Sequence, residues 1–157
     1  MKARRMLLTL LGVSVAIAGC GGGSAKPAAS NAGFRQAYLK QLGQLRSTGG
    51  ELTTALQTAP RQTDAQVQRT FVRLARQARP VVSGLAALHP PARYRADITA
   101  MRDWLTRADA DLYAVARAAG AHHARAARLA TRKLIADSAH VKAADRRLSA
   151  ALGLVID

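Results

Sequence analysis

The chain has 157 residues, with 24 basic side chains against 9 acids for a formal net charge of +15. That length fits one domain, since stand-alone domains of about 100–150 residues are the common case. Cys20 is the only cysteine, which excludes a disulfide within the chain and leaves the fold to rest on its core.

Lys2, Arg4 and Arg5 precede an apolar run from Met6 to Ala18. A charged start, a short apolar stretch and small residues at a cut site form the layout of an export signal. The run gives roughly 20 Å of helix at about 1.5 Å per residue, too short for a bilayer core of about 30 Å. Arg4-Arg5 with Leu8 matches too little of the twin-arginine pattern to predict export in a folded state.

Ile17-Ala18-Gly19-Cys20 resembles the lipobox of bacterial lipoproteins. The resemblance implies diacylglycerol on the Cys20 thiol, cleavage between Gly19 and Cys20, and acylation of the new amine. Residues 1–19 are then a lipoprotein signal peptide. The lipid on Cys20 is the only attached group expected, with no other cofactor. Several acyl chains on one residue moor a protein durably, where one chain binds marginally. Gly21 is not the Asp that, in that family, holds lipoproteins at the inner membrane of two-membrane bacteria. The expected location is extracytoplasmic, at the cell membrane, or at the outer membrane where the host has two.

Cleavage removes Lys2, Arg4 and Arg5, and the remaining 21 basic residues against 9 acids carry +12. In an unexported chain such a charge points to nucleic acid. Export redirects it toward anionic lipid headgroups, acidic envelope polymers or another envelope protein, with no nucleic acid expected.

Residues 20–33 form the lipidated linker, a run of Gly, Ser, Ala and Pro with no apolar period, expected to be a flexible tether. Residues 34–157 are expected to be a four-helix bundle domain. Phe34, Tyr38, Leu42, Leu45, Leu52 and Leu56 share a 3.6-residue stripe. Gly49-Gly50 predicts a bend or break there, since each glycine costs about 1 kcal/mol relative to Ala in a helix. Pro60 ends the segment, and Thr63 with Gln66 fits a capping box.

The second stripe runs through Val67, Phe71, Leu74, Ala78, Val81, Leu85 and Leu88, in phase across Pro80, which should kink rather than end the helix. His89-Pro90-Pro91 is a stop, with Pro91 placed for the first turn of the next helix. Tyr94, Ile98, Met101, Leu105, Leu112 and Val115 mark a third helix running to Gly120. A fourth segment from Ala121 has Leu134, Val141, Leu148 and Val155 seven apart, as one helix or as two broken near Asp137-Ser138. Short loops force antiparallel neighbours, so the fold class is all-α, an up-down-up-down four-helix bundle. Leu85-Ala86-Ala87-Leu88-His89-Pro90-Pro91-Ala92-Arg93-Tyr94 resembles the central turn of small helical-bundle lipoproteins of high-GC bacteria. That resemblance implies the fold and carries no activity.

Arg69, Arg73 and Arg76 form one row, and Arg125, Arg128 and Arg132 another. Each lies about 200° around its helix from the apolar stripe, on a solvent face. These six are the candidate surface for anionic ligands, because planar guanidinium groups grip phosphate and carboxylate well. The plain alternative is a solvated face written in arginine. On the third helix Arg93–Asp97, Asp103–Arg107 and Arg107–Asp111 are spaced as i,i+4 ion pairs.

Other chemistry finds no footing. His122 and His123, adjacent on a helix, would point about 100° apart, so no metal is expected. A ferritin-type carboxylate centre needs Glu-x-x-His motifs, and Glu51 is the only glutamate. No nucleophile elbow or haem-attachment motif occurs, so no catalytic residue is assigned and the chain is not expected to be an enzyme. Tyr94, Trp104 and Tyr113 are expected in the core rather than in a ligand cage. The expected role is a non-enzymatic binding or envelope-associated one. The alternative is a helical periplasmic chaperone or stress adaptor with an apolar concavity near Pro80.

Overall fold

A computed structural model describes residues 30–154. Four helices follow in order: α1 (Asn31–Thr58), α2 (Asp64–Ala86), α3 (Arg95–Gly120) and α4 (Ala124–Ala151), with single 3₁₀ turns at Ala59–Arg61 and Ala92–Tyr94. The protein is an all-α four-helix bundle, and no strand occurs among the described residues. Each helix packs mainly on its neighbours in sequence, with α3 central between α2 and α4.

The helix ends follow local chemistry. The Ser30 side chain caps α1 by accepting from the Gly33 amide, so the helix begins three residues ahead of Phe34. Thr63 and Gln66 form the expected capping box on α2. Helix α2 contains Pro80 and stops at Ala86, before His89. Pro91 precedes the short 3₁₀ turn rather than entering the first turn of α3. Helix α4 closes with Gly153 at φ +62° and the Leu154 amide bonded to the Ser149 carbonyl, a Schellman stop.

One expectation changes, and one open alternative is decided. Helix α1 continues through Gly49-Gly50 without a break. Its glycine carbonyls accept from the hydroxyls of Thr53 and Thr54, at 3.0 and 3.2 Å, while Leu52 and Ala55 pack against the core on the far side of the pair. Helix α4 is one piece, because Asp137 turns inward on the Leu134–Val141 stripe instead of starting a loop.

The core has two clusters. In the first all four helices meet through large side chains, among them Phe34, Tyr38, Leu85, Met101 and Leu148. The second is built on Phe71, Leu74, Leu112, Val115 and Leu134, and there α1 buries only Ala55. Helices α1 and α4 therefore close on one another at one end of the bundle and leave space between them toward the other. Tyr38 Oη donates to Asp145 Oδ1 at 2.6 Å, which ties α1 to α4 at the closed end.

Candidate functional site

Cys20, Gly19, the expected signal peptide and most of the linker lie outside the described residues, as does Val155. All six arginines of the two rows are exposed, on α2 and α4 as their spacing implies. Arg73 is engaged: it pairs with Glu51 of α1 and donates to Gln77 Oε1 at 3.0 Å. The Arg73 contact holds the Glu51 carboxyl below its ordinary value. Arg69, Arg76, Arg125, Arg128 and Arg132 make no ion pair among the described residues. These five carry unneutralised charge into solvent, where a polyanion or anionic surface meets little competition.

The expected i,i+4 pairs on α3 do not form. Arg107 instead lies 4.5 Å over the Trp104 ring and Arg93 4.6 Å over Tyr94. Asp97 and Asp111 turn to α4, meeting Arg147 at 3.8 Å and Lys133 at 3.0 Å. Both arginines are exposed, and a guanidinium–aromatic contact at an exposed site, worth about 0.5–1 kcal/mol, still matches or exceeds the few tenths of a kcal/mol in an exposed helical ion pair. Tyr94 is core, as expected, and donates to the Ala151 carbonyl at 3.1 Å. Trp104 is half-buried and stacks on His140 with centroids 4.1 Å apart.

The histidine pair is not helical. His122 sits at φ +56° in the turn after α3, with the His123 amide bonded to the Ala118 carbonyl. This is a Schellman stop with histidine at the position glycine usually fills. Its Nδ1 lies 2.7 Å from Asp64 Oδ2 at the start of α2. Among the described residues no three His, Cys, Asp or Glu side chains converge as metal ligands.

Two features were not assigned from the sequence, although the chaperone alternative calls for an apolar concavity near Pro80. Asp111 and Asp137 are buried together between α3 and α4, each with one carboxylate oxygen that has no partner. Burial pushes the Asp111 carboxyl up; Lys133 opposes this and Asp137 reinforces it. Both residues sit in phase with the apolar stripes of their helices, and that placement was the available signal. The second feature is the space between α1 and α4, a cleft of about 670 Å³. Leu45, Leu52 and Leu56 wall it from α1, Leu105 and Leu112 form its floor on α3, and Leu134 and Ile135 face them from α4. Arg46, Lys142 and Arg146 line it as well. Its volume falls inside the range of roughly 300–1,000 Å³ common to small-molecule sites.

No family model matches this chain, and no curated protein or solved structure matches it. Among the described residues no helix is long and apolar enough to cross a membrane.

Proposed function

We propose that this chain is a lipoprotein anchored through Cys20 on the outer side of a cell membrane, where its helical domain acts as a non-enzymatic binding module for anionic surfaces. The partners are lipid headgroups or acidic envelope polymers, and the contacts are Arg69, Arg76, Arg125, Arg128 and Arg132. One observation carries the reading: five guanidinium groups on two helices are exposed with no acid to neutralise them among the described residues. Basic side chains near an anionic membrane surface contribute about 1 kcal/mol each, screened within a Debye length.

Two measurements test the two halves of the proposal. In high salt, where the arginine contacts are screened, native protein should still partition with membranes and Cys20→Ala should release it; retention undiminished by that change would remove the anchor. The Cys20→Ala chain should still bind vesicles containing phosphatidylglycerol, and raising salt from 0.05 to about 0.5 M should abolish binding. Affinity indifferent to salt, or to Arg125→Ala with Arg128→Ala, would remove the arginine surface. A helical chaperone is the second reading. The cleft favours it, since it reaches Ala78 and Val81 beside Pro80 and offers apolar walls to a client. Suppression of client aggregation is its measurement.

A further inference from the structure

The cleft between α1 and α4 has a direction. Along α4 it is lined from Leu134 and Ile135 at one end to Lys142 and Arg146 at the other, roughly 18 Å at about 1.5 Å per residue. Along α1, which runs the opposite way, Leu52 and Leu56 lie at the apolar end and Arg46 toward the basic one. One end is hydrocarbon and the other cationic.

The three cations are unspent. Arg46, Lys142 and Arg146 are exposed and take part in no ion pair among the described residues. Asp145, which also lines the cleft, is committed: its Oδ1 accepts from Tyr38 Oη at 2.6 Å and from Ser149 Oγ at 3.1 Å. Asp109 is the other acid on the lining. Its Oδ1 is buried without a partner, and burial pushes its carboxyl up, toward the neutral form that tolerates apolar company. Ile135 is half exposed on the same wall, an apolar side chain left to water when the cleft is empty of ligand.

We propose that this cleft binds a single fatty-acid anion, its carboxylate held among Arg46, Lys142 and Arg146 and its chain laid along the leucines toward Leu112 and Leu134. Charge complementarity selects the head and the leucine walls select the tail. A polypeptide helix, with a diameter of about 10–12 Å, is a poorer match to a space of this size between intact helices. The proposal stands apart from the membrane anchor and from the arginine rows, none of which lines the cleft.

Gly49 supplies the test. A Cβ at Gly49 would meet nothing within 4 Å, and the residue lines the cleft, so a side chain there enters the cleft without displacing the core. Calorimetric titration of the full chain carrying Cys20→Ala with dodecanoate should show one molecule bound per chain. Tetradecanoate should bind more tightly, by up to about fourfold for each added CH₂. Gly49→Phe should weaken binding at least tenfold with no loss of thermal stability. Arg46→Ala combined with Arg146→Ala, both at exposed positions, should weaken dodecanoate about tenfold and leave dodecanol unchanged. Dodecanol binding as tightly as dodecanoate in the parent protein would overturn the assignment of the basic end. Binding untouched by Gly49→Phe, uptake without saturation, or preference for a lysophospholipid or an unfolded polypeptide over the free acid would each overturn the proposal.

Discussion

Asp111 and Asp137 face one another across the α3–α4 interface, 4% and 7% exposed, with Lys133 reaching only Asp111. Because burial holds the Asp111 carboxyl above its unfolded value, the folded state binds more protons than the unfolded chain in that window. The linkage term from Asp111 is therefore fully present below the ordinary aspartate value of about 3.9 and is lost as pH rises through the raised folded value. Asp137→Asn should reverse the loss, because an amide N–H can donate to the unpartnered Asp111 oxygen and removes a like charge. Urea unfolding from pH 4 to 7 checks this: the variant should be the more stable at pH 7, and its stability should vary less with pH. Tyr38 presents the opposite case, a buried polar group with its partner in place. Burial and the Asp145 carboxylate push its phenol far up, so it remains a donor at every physiological pH. Tyr38→Phe should cost about 1.5–3 kcal/mol, the usual worth of a hydrogen bond to a charged group, read from the same unfolding curves. Neither residue was legible as polar structure from the sequence. Tyr38 read as an apolar stripe member, and Asp137 only as the place where the fourth segment was either one helix or two, because a one-dimensional pattern does not show which carboxylate stands opposite.

At the level of whole elements the stripes were legible, and the reason is physical. Phe71, Leu74, Val81 and Leu85 are buried because a 3.6-residue period leaves them on one face, whatever the partner helix. The errors fall where a local cost met a tertiary gain. Gly49-Gly50 carries a helix penalty, yet α1 runs on because Leu52 and Ala55 pack beyond the pair. Since a Cβ at either glycine meets nothing within 4 Å, Gly49→Ala and Gly50→Ala should each stabilise the protein by about 1 kcal/mol. Gly84 on α2 should behave differently. A Cβ there would fall 2.1 Å from Gln41 Oε1 on α1, so the Gln41 side chain must move away. That displacement sets repacking against the same helix-propensity gain, so Gly84→Ala should gain less than Gly49→Ala, and thermal unfolding of the two variants side by side measures the difference. The arginine rows were legible as exposed faces, but the pairing of Arg73 with Glu51 was not, because it depends on how α1 meets α2.

Across the whole molecule the bundle is unevenly closed, and this asymmetry governs which part moves. Helix α3 buries nine residues along its length, whereas α1 beyond Leu42 buries only Ala55. Opening free energy tracks buried apolar contact, so the second half of α1 belongs to the least stable part of the bundle. The Tyr38–Asp145 bond and the stacking of Phe34 on Tyr94, with centroids 5.4 Å apart, hold the first half in place. Amide hydrogen exchange should therefore divide α1 in two, with amides from Leu45 to Thr58 exchanging well before those of Tyr38 to Leu42 and before all of central α3. The cleft lies against that faster half, so an occupant that fills it bridges α1 to α4 where the protein itself does not. Saturating dodecanoate should slow exchange in residues 45–58 by a factor approaching 1 + [L]/Kd, and α3 amides that exchange only through global unfolding should slow by the same factor, because a ligand held by the native state opposes every opening that destroys its site. Uniform exchange along α1 without ligand would mean that the two ends of the bundle are equally closed, and the cleft would then be part of a rigid wall rather than a seam between two helices.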